Sequence, residues 1–290
     1  MCEMNIGIVG CGNISGVYFT NLARFRGSKV TACADLDQSK AAQAAEQFGV
    51  RCEPTVTDLL TAPDVDLVVN LTVPKAHAQV TLDALRSGKH VYSEKPLAAT
   101  RADGQAIIEE AAKRGLRVGS APDTFLGGGH QTCRRLIDAG RIGEPVGASA
   151  FMLCHGHESW HPSPEFYYEI GGGPMMDMGP YYLTALVNLL GPVRRLTGSA
   201  KITFEERTIT SEPKRGKVIK VETPTHIAGI MEFRDGPMAT ILTTFDVWHS
   251  TLPRIEVYGT GGSLLIPDPN GFGGTPMIRT RTDTDWQPVE

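Results

Sequence analysis

The sequence predicts a two-domain α/β protein: a doubly wound parallel sheet first, then an α+β domain with a mostly antiparallel sheet. Three observations lead there. Up to Ser120, short apolar runs alternate with Ala-rich stretches of helical spacing, and parallel strands need crossovers, usually helices. The rhythm changes at Ala121–Pro122, which puts the domains at 1–121 and 122–290. Beyond it, β-like runs come in pairs around glycine turns, and consecutive hairpins make an antiparallel sheet.

In the first domain Asn5–Val9, Lys29–Ala34, Leu67–Leu71, His90–Tyr92 and Arg117–Val118 read as strands. Val17–Phe25, Ser39–Phe48, Ala76–Ser87 and Ala102–Arg114 read as helices. Asp37–Gln38–Ser39 supplies a helix start, and Gly88 and Gly115 fall where helices should stop. In the second domain a helix is expected over Phe125–Ala139, a turn at Ile142–Pro145, a strand at Val146–Cys154 and a helix from Met176 to Leu190. Residues 155–173 are loop-like, rich in His, Pro, Gly and aromatics. Asp235–Gly236 then joins His226–Phe233 to Met238–Phe245, and Gly259–Gly262 joins Arg254–Tyr258 to Ser263–Ile266.

Composition excludes several classes. With 290 residues, 41% hydrophobic and 21% charged, the chain can bury a sizeable core. A net charge of −4 favours neither nucleic acid nor an anionic membrane surface. No apolar run reaches the ~18 residues of a spanning helix, and Met1–Asn5 lacks the basic-then-apolar layout of a secretion signal. The six cysteines form no C-x-x-C pair, which suggests neither a disulfide framework nor a thiolate zinc site. A reducing, cytoplasmic location is the expectation.

The first strand runs into Gly10–Cys11–Gly12–Asn13–Ile14–Ser15, a G-x-G-x-x-S turn. Gly10 permits the tight turn, Gly12 lets a pyrophosphate approach the backbone, and a helix starting near Asn13 and Ile14 offers free N–H groups to it. The required context is present: a strand before, a helix after, and Asp35 closing the second strand. A carboxylate there accepts the ribose hydroxyls of NAD and repels a 2′-phosphate, so NAD is favoured over NADP. Thr72, Pro74 and His77 follow the next strand, where ligands of open α/β sheets bind. His77 fits either the nicotinamide ribose or an ordinary first-turn histidine. Glu94–Lys95–Pro96 follows another strand. A lysine held in a cleft loses solvation, which suits it to proton transfer near neutrality.

Together, G-x-G-x-x-S, Asp35, Thr72–Val73–Pro74 with His77, and Glu94–Lys95–Pro96 resemble the glucose–fructose oxidoreductase, inositol dehydrogenase and MocA family. Gly171–Gly179 resembles the glycine-led helix start that carries that family's catalytic carboxylate, here Asp177. The resemblance implies a Rossmann domain, a C-terminal domain with an open-faced sheet, no metal, and hydride transfer between nicotinamide and a secondary alcohol of a sugar, sugar derivative or cyclitol. It places Glu94 and Lys95 among the cofactor contacts. Many members carry D-x-G-x-H at this helix; here Tyr181 stands where the histidine would be. Residues four apart share a helix face, so Asp177 and Tyr181 are expected to point the same way. A lone tyrosine is a poor base, but a neighbouring ammonium favours its phenolate. Lys95 and Tyr181 are therefore expected to share the proton of the reacting hydroxyl, with Asp177 orienting or charge-balancing them. Two other readings stay open: a glycosidase or lyase that oxidises its substrate transiently, and a non-catalytic NAD-binding regulator.

His155, His157 and His161 invite comparison with a zinc site, but no companion ligand has a convincing spacing. Trp160, His161, Phe166 and Tyr167 fit a substrate pocket better, since aromatic faces pack on sugar C–H groups; the same loop fits an ordered, tucked-in segment. Asp123 fits either a substrate hydroxyl or a helix N-cap. Lys214–Lys217, with Lys201, Arg207 and Lys220, reads as a solvated hairpin end rather than a phosphate site. The open sheet needs a cover, so a homodimer or homotetramer through the C-terminal sheet is expected. Against the family the chain looks short at its C-terminus.

Overall fold

The structure, a computed structural model, describes residues 3–289. The chain divides into two compact units, Met1–Ala121 and Pro122–Glu290. In the first, β1 (Met4–Val9), α1 (Ser15–Leu22), β2 (Ser28–Ala34), α2 (Gln38–Phe48), β3 (Arg51–Cys52), α3 (Val56–Thr61), β4 (Leu67–Asn70), α4 (Pro74–Arg86), β5 (His90–Ser93), α5 (Arg101–Arg114) and β6 (Val118–Ser120) follow one another. The strands form one sheet of order β3-β2-β1-β4-β5-β6, and every pairing is parallel. Strand order reverses between β1 and β4, which makes the carboxyl ends of those two strands the natural ligand position. Ile6, Ile8, Val9, Val68, Val69 and Val91 are buried, as strands covered on both faces require.

Local chemistry sets the helix ends. Asp37 caps α2 by accepting the Ser39 N–H at 3.0 Å, and Thr100 caps α5 by accepting the Asp103 N–H at 3.1 Å. Both helices stop at a left-handed glycine, Gly49 and Gly115. The first helix is Ser15–Leu22 rather than Val17–Phe25, and α3 and β3 lie where no element was expected. Six and two residues are too short to show a period.

In the second unit a 3-10 turn (Thr124–Leu126) precedes α6 (Gly128–Asp138), β7 (Pro145–Leu153), a second 3-10 turn (Glu165–Tyr167), α7 (Gly173–Asp177) and α8 (Gly179–Leu190). Then come β8 (Val193–Lys201), β9 (Glu206–Thr208), β10 (Val218–Lys220), β11 (His226–Phe233), β12 (Met238–Thr244), β13 (Ile255–Gly259), β14 (Gly262–Ile266), β15 (Met277–Thr280) and β16 (Gln287–Pro288). The large sheet has the order β16-β15-β14-β13-β7-β12-β11-β8, and β9 and β10 form a separate ribbon. Only β7 and β12 run parallel in it among the described residues; the other pairs are antiparallel. Leu136, Ala185, Leu186 and Leu189 of α6 and α8 pack with Ala148, Ala150, Ala239, Ile241, Ile255 and Val257 of the sheet in one core. The alternate residues face away from these helices, and among them Ile230 and Met238 are 48% and 57% exposed.

Two expected helices are interrupted. Phe125–Ala139 breaks at Gly127, whose backbone is extended, and a Cβ there would strike the Phe272 backbone. Met176–Leu190 breaks at Met178, leaving α7 to end at Asp177 and α8 to begin at Gly179. Pro180 has no N–H to donate to the preceding turn and is tolerated only in the first turn of a new helix. The single helix expected from Met176 to Leu190 is therefore two, with Asp177 ending the first and Tyr181 in the first turn of the second.

Candidate functional site

In the first unit the glycine turn leaves β1 at Gly10, with φ +100°. A Cβ at Gly10 would lie 2.8 Å from the Leu71 carbonyl carbon and oxygen, so this turn and the end of β4 need a residue without a side chain. A Cβ at Gly12 would meet nothing within 4 Å. Gly12, Asn13 and Ile14 are exposed, leaving the backbone before α1 open to a ligand. The Ser15 hydroxyl donates to Gly12 O at 2.7 Å and closes the turn. Asp35 is tied to the same turn: one carboxylate oxygen accepts the Cys11 N–H at 2.7 Å and the other the Asp37 N–H at 2.8 Å. An open glycine cradle beside a fixed carboxylate fits a dinucleotide, with phosphate against the turn and ribose toward Asp35.

Past β4, fully buried Asn70 organises the next loop. Its amide nitrogen donates to His77 O and Thr81 Oγ1, both at 3.1 Å, and its oxygen accepts the Thr72 hydroxyl at 2.7 Å. Pro74 opens α4. His77 is 1% exposed, with Nδ1 2.6 Å from Pro96 O and Nε2 2.8 Å from Thr72 O. Both ring nitrogens thus face backbone carbonyls, which favours the ordinary first-turn histidine over the ribose contact; the ring joins the Thr72 loop to the loop after β5. Glu94 is likewise a brace, accepting the Tyr18 hydroxyl at 2.8 Å and the Lys95 N–H at 2.9 Å. Lys95 is half-buried and precedes a cis Pro96. Tyr18, on α1, had no signal of its own in the sequence, because its partner lies 76 residues away.

In the second unit Asp177 closes α7, and His157 Nε2 lies 3.4 Å from its Oδ2. The Tyr167 ring stands edge-on to His157 at 4.1 Å, and burial, helped by the Asp177 charge, pushes the Tyr167 hydroxyl well above the usual phenol range. Phe166 and Tyr167 lie 4.1 Å apart between ring centroids, and His161 is 5.4 Å from both Trp160 and Tyr167. Burial also lowers the His161 imidazole below its ordinary value, and its Nδ1 accepts the Ser163 N–H at 3.0 Å. Trp160 is 61% exposed. Tyr181 is half-buried and packs against the core of the second unit. Asp123 occupies the N-cap position of the first 3-10 turn, without a side-chain capping bond. Trp248 had no sequence signal: it is 71% exposed, with the His155 ring stacked on one face at 3.4 Å.

Behind this group lies a buried ion cluster. Arg207 Nη1 bonds Glu158 at 2.9 Å, Nη2 bonds Phe245 O at 3.0 Å and Asp246, and Tyr168 donates to Glu158. The Thr225 hydroxyl donates to Asp246 at 2.9 Å. Arg207 therefore does not belong to a solvated hairpin end; its partners, 39 and 49 residues away, are out of reach of a spacing argument. Lys214 and Lys217 both bond Glu165, at 2.6 and 2.9 Å, and tie the β9–β10 ribbon to the second 3-10 turn. Burial opposes ionisation of Glu165, but these two ammonium groups win and hold its carboxyl down to about 2.

A glycine cradle at the switch point of a parallel sheet, with an acidic residue ending the second strand, defines a dinucleotide-binding protein of the Rossmann type. The family described as "Oxidoreductase family, NAD-binding Rossmann fold" matches residues 4–121, and the GFO/IDH/MocA C-terminal domain matches residues 130–265. The chain belongs to the glucose–fructose oxidoreductase, inositol dehydrogenase and MocA family of oxidoreductases. It is 33% identical to inositol 2-dehydrogenase 3 of Saccharopolyspora erythraea, over 98% of this chain and 80% of that one. It is 30% identical to 1,5-anhydro-D-fructose reductase of Ensifer adhaerens, over 89% of this chain and 74% of that one. Its fold is similar to an apo levoglucosan dehydrogenase, with a TM-score of 0.86 and 19% identity over 100% of this chain and 80% of that one. No helix among the described residues is long and apolar enough to cross a membrane.

Proposed function

We propose that this oxidoreductase transfers a hydride between NAD and a secondary alcohol of a sugar, sugar derivative or cyclitol. The observation that carries the cofactor choice is Asp35. Its carboxylate is fixed by two backbone N–H groups where this fold receives the adenosine ribose, and a 2′-phosphate would meet its charge. The substrate class rests on the relatives, whose names are those of inositol and anhydro-sugar oxidoreductases. Bound NAD supplies the hydride acceptor at nicotinamide C4. Gly10, Gly12, Asn13 and Ile14 receive its pyrophosphate, Thr72 and Pro74 border the nicotinamide side, and the Glu94 brace and His77 hold the loops that carry them. Lys95 takes the hydroxyl proton as the hydride leaves and returns it in the reverse direction, Asp177 orients the reacting carbon's hydroxyl, and Tyr181 shares the proton with Lys95. Asp123, Trp160, His161 and Tyr167 are assigned to substrate, the aromatics to sugar C–H faces and the polar groups to hydroxyls. The five described cysteines are thiols, which suits a reducing cytoplasm.

Absorbance at 340 nm over a panel of cyclitols, sugars and glycosides tests the reaction. Net reduction of NAD to NADH but little reduction of NADP is expected. Product without net NADH, or tight NAD binding with no turnover, overturns it. Lys95→Ala should cut turnover by about 10²–10⁴-fold, the range of a lost general acid–base, while NAD titration stays near wild type; near-normal turnover refutes the role.

A further inference from the structure

We propose that His157, on the loop between β7 and α7, is a positioning residue for Asp177: its Nε2–H donates to the carboxylate and fixes the direction in which that carboxylate meets the substrate. The inference rests on the reading of Asp177 as a substrate-orienting group.

The pair is sheltered, with side chains 12% and 13% exposed, and Nε2 lies 3.4 Å from Oδ2. The other ring nitrogen settles the tautomer. Nδ1 is buried and, among the described residues, has no hydrogen-bond partner. A neutral imidazole carries one N–H, and among the described residues the only acceptor offered to it is Asp177 at Nε2. A proton on Nδ1 would be buried without an acceptor, and Nε2 would then turn a lone pair toward a carboxylate.

The ring is held on every side that matters for direction. Trp160, Tyr167 and Phe245 surround it at centroid distances of 5.2, 4.1 and 4.7 Å. Its neighbours along the chain are anchored more firmly still. Gly156 has φ +75°, and a Cβ there would run into the Tyr168 hydroxyl and the Glu158 carboxylate. Glu158 is clamped through its side chain by Arg207 and Tyr168. Its carbonyl is clamped by the Thr210 and Ser211 N–H groups at 2.8 and 3.1 Å. A buried ion cluster is weak evidence for stability, but this one fixes local geometry. Here that geometry is the backbone on both sides of His157.

Two readouts test this. In long-range ¹H–¹⁵N spectra of the ¹⁵N-labelled chain, the resonances lost in His157→Gln identify His157; they should report the Nε2–H tautomer and move in Asp177→Asn. An Nδ1–H tautomer, or no response to Asp177→Asn, overturns the proposal. This readout needs no turnover, so it stands even if every sugar and cyclitol fails and the reading of the reaction falls. With the best substrate of the panel, His157→Phe should lower kcat about 10–100-fold, the size of one lost hydrogen bond to a charged group. NAD affinity should be unchanged and KM little moved. His157→Gln should restore most of the loss, because its amide carries an N–H at the Nε2 position. A His157→Phe kcat within about threefold of wild type, well below any lost charged hydrogen bond, overturns the proposal. So does His157→Gln as slow as His157→Phe when both melt like wild type.

Discussion

Replacing Arg207 with Met tests the ion cluster directly. The guanidinium is 5% exposed and stands between Glu158 and Asp246, whose side chains are 9% and 5% exposed. Met fills much of the same volume but leaves two buried carboxylates facing each other with no cation, and removes the donor to Phe245 O. Breaking a buried charge pair from one side costs about 3–5 kcal/mol. At ~2–4 °C per kcal/mol for a unit of this size, the melting temperature should fall by about 6–20 °C. Trp160, Trp248 and Trp286 all belong to the second unit, so tryptophan fluorescence during thermal or urea unfolding follows that unit alone. Adding Glu158→Gln and Asp246→Asn to Arg207→Met removes the stranded charges and should recover part of the loss. A single variant that melts within about 2 °C of wild type, less than 1 kcal/mol on the same scale, would refute the argument. A triple variant less stable than the single one would show that the carboxylates were not the source of the cost.

Gly10→Ala forces a left-handed backbone on a residue with a Cβ and drives that Cβ to 2.8 Å from the Leu71 carbonyl. The φ penalty alone is about 1–2 kcal/mol; a marked loss of NAD affinity and a lower melting temperature are expected by titration and calorimetry. Glu165 is held at about 2, below its ordinary 4.5. Because the folded value is depressed, its contribution is present above the ordinary range and lost as pH falls from about 4.5 toward about 2. Lys214→Ala with Lys217→Ala should lower stability at neutral pH and flatten the acid limb in that window, so that variant and wild type converge as pH falls toward about 2, as denaturant unfolding followed by circular dichroism at several pH values would show. The helix-free face of the large sheet, carrying exposed Ile230 and Met238, is proposed as the contact between copies in a homodimer or homotetramer. Ile230→Glu with Met238→Glu should shift light scattering toward monomer, and a wild-type chain that already scatters as a monomer would refute it.

What could be read from the sequence was local. G-x-G-x-x-S, Asp35 and the caps at Asp37 and Gly115 each act within a few residues, so spacing exposed them. The eight-stranded sheet was legible only around its glycine turns. β8 reads as Val193–Arg194–Arg195–Leu196–Thr197–Gly198, and its residues are exposed throughout, so no alternation marks it. The break at Met178 had a visible cause in Gly179–Pro180, but a single helix satisfied the same proline in its first turn. His157 and Arg207 were hidden for another reason. Each draws its meaning from partners brought close by the sheet, and taken singly they look like a loop histidine and a surface cation.

The parallel seam between β7 and β12 bears on how the second unit is made. β7 is the first strand of its sheet to leave the ribosome, yet both of its neighbours come much later: β12 at Met238–Thr244 and β13 at Ile255–Gly259. At ~5–20 residues per second that delay is about 4–20 s. During it the apolar strand Pro145–Leu153 has no sheet to join, and long-range pairing of this kind is slow to close and open to association between chains. The central strand of the finished sheet is therefore the most exposed one during synthesis, and yield on expression should depend on chaperone supply and temperature more than the stability of the folded protein alone would suggest.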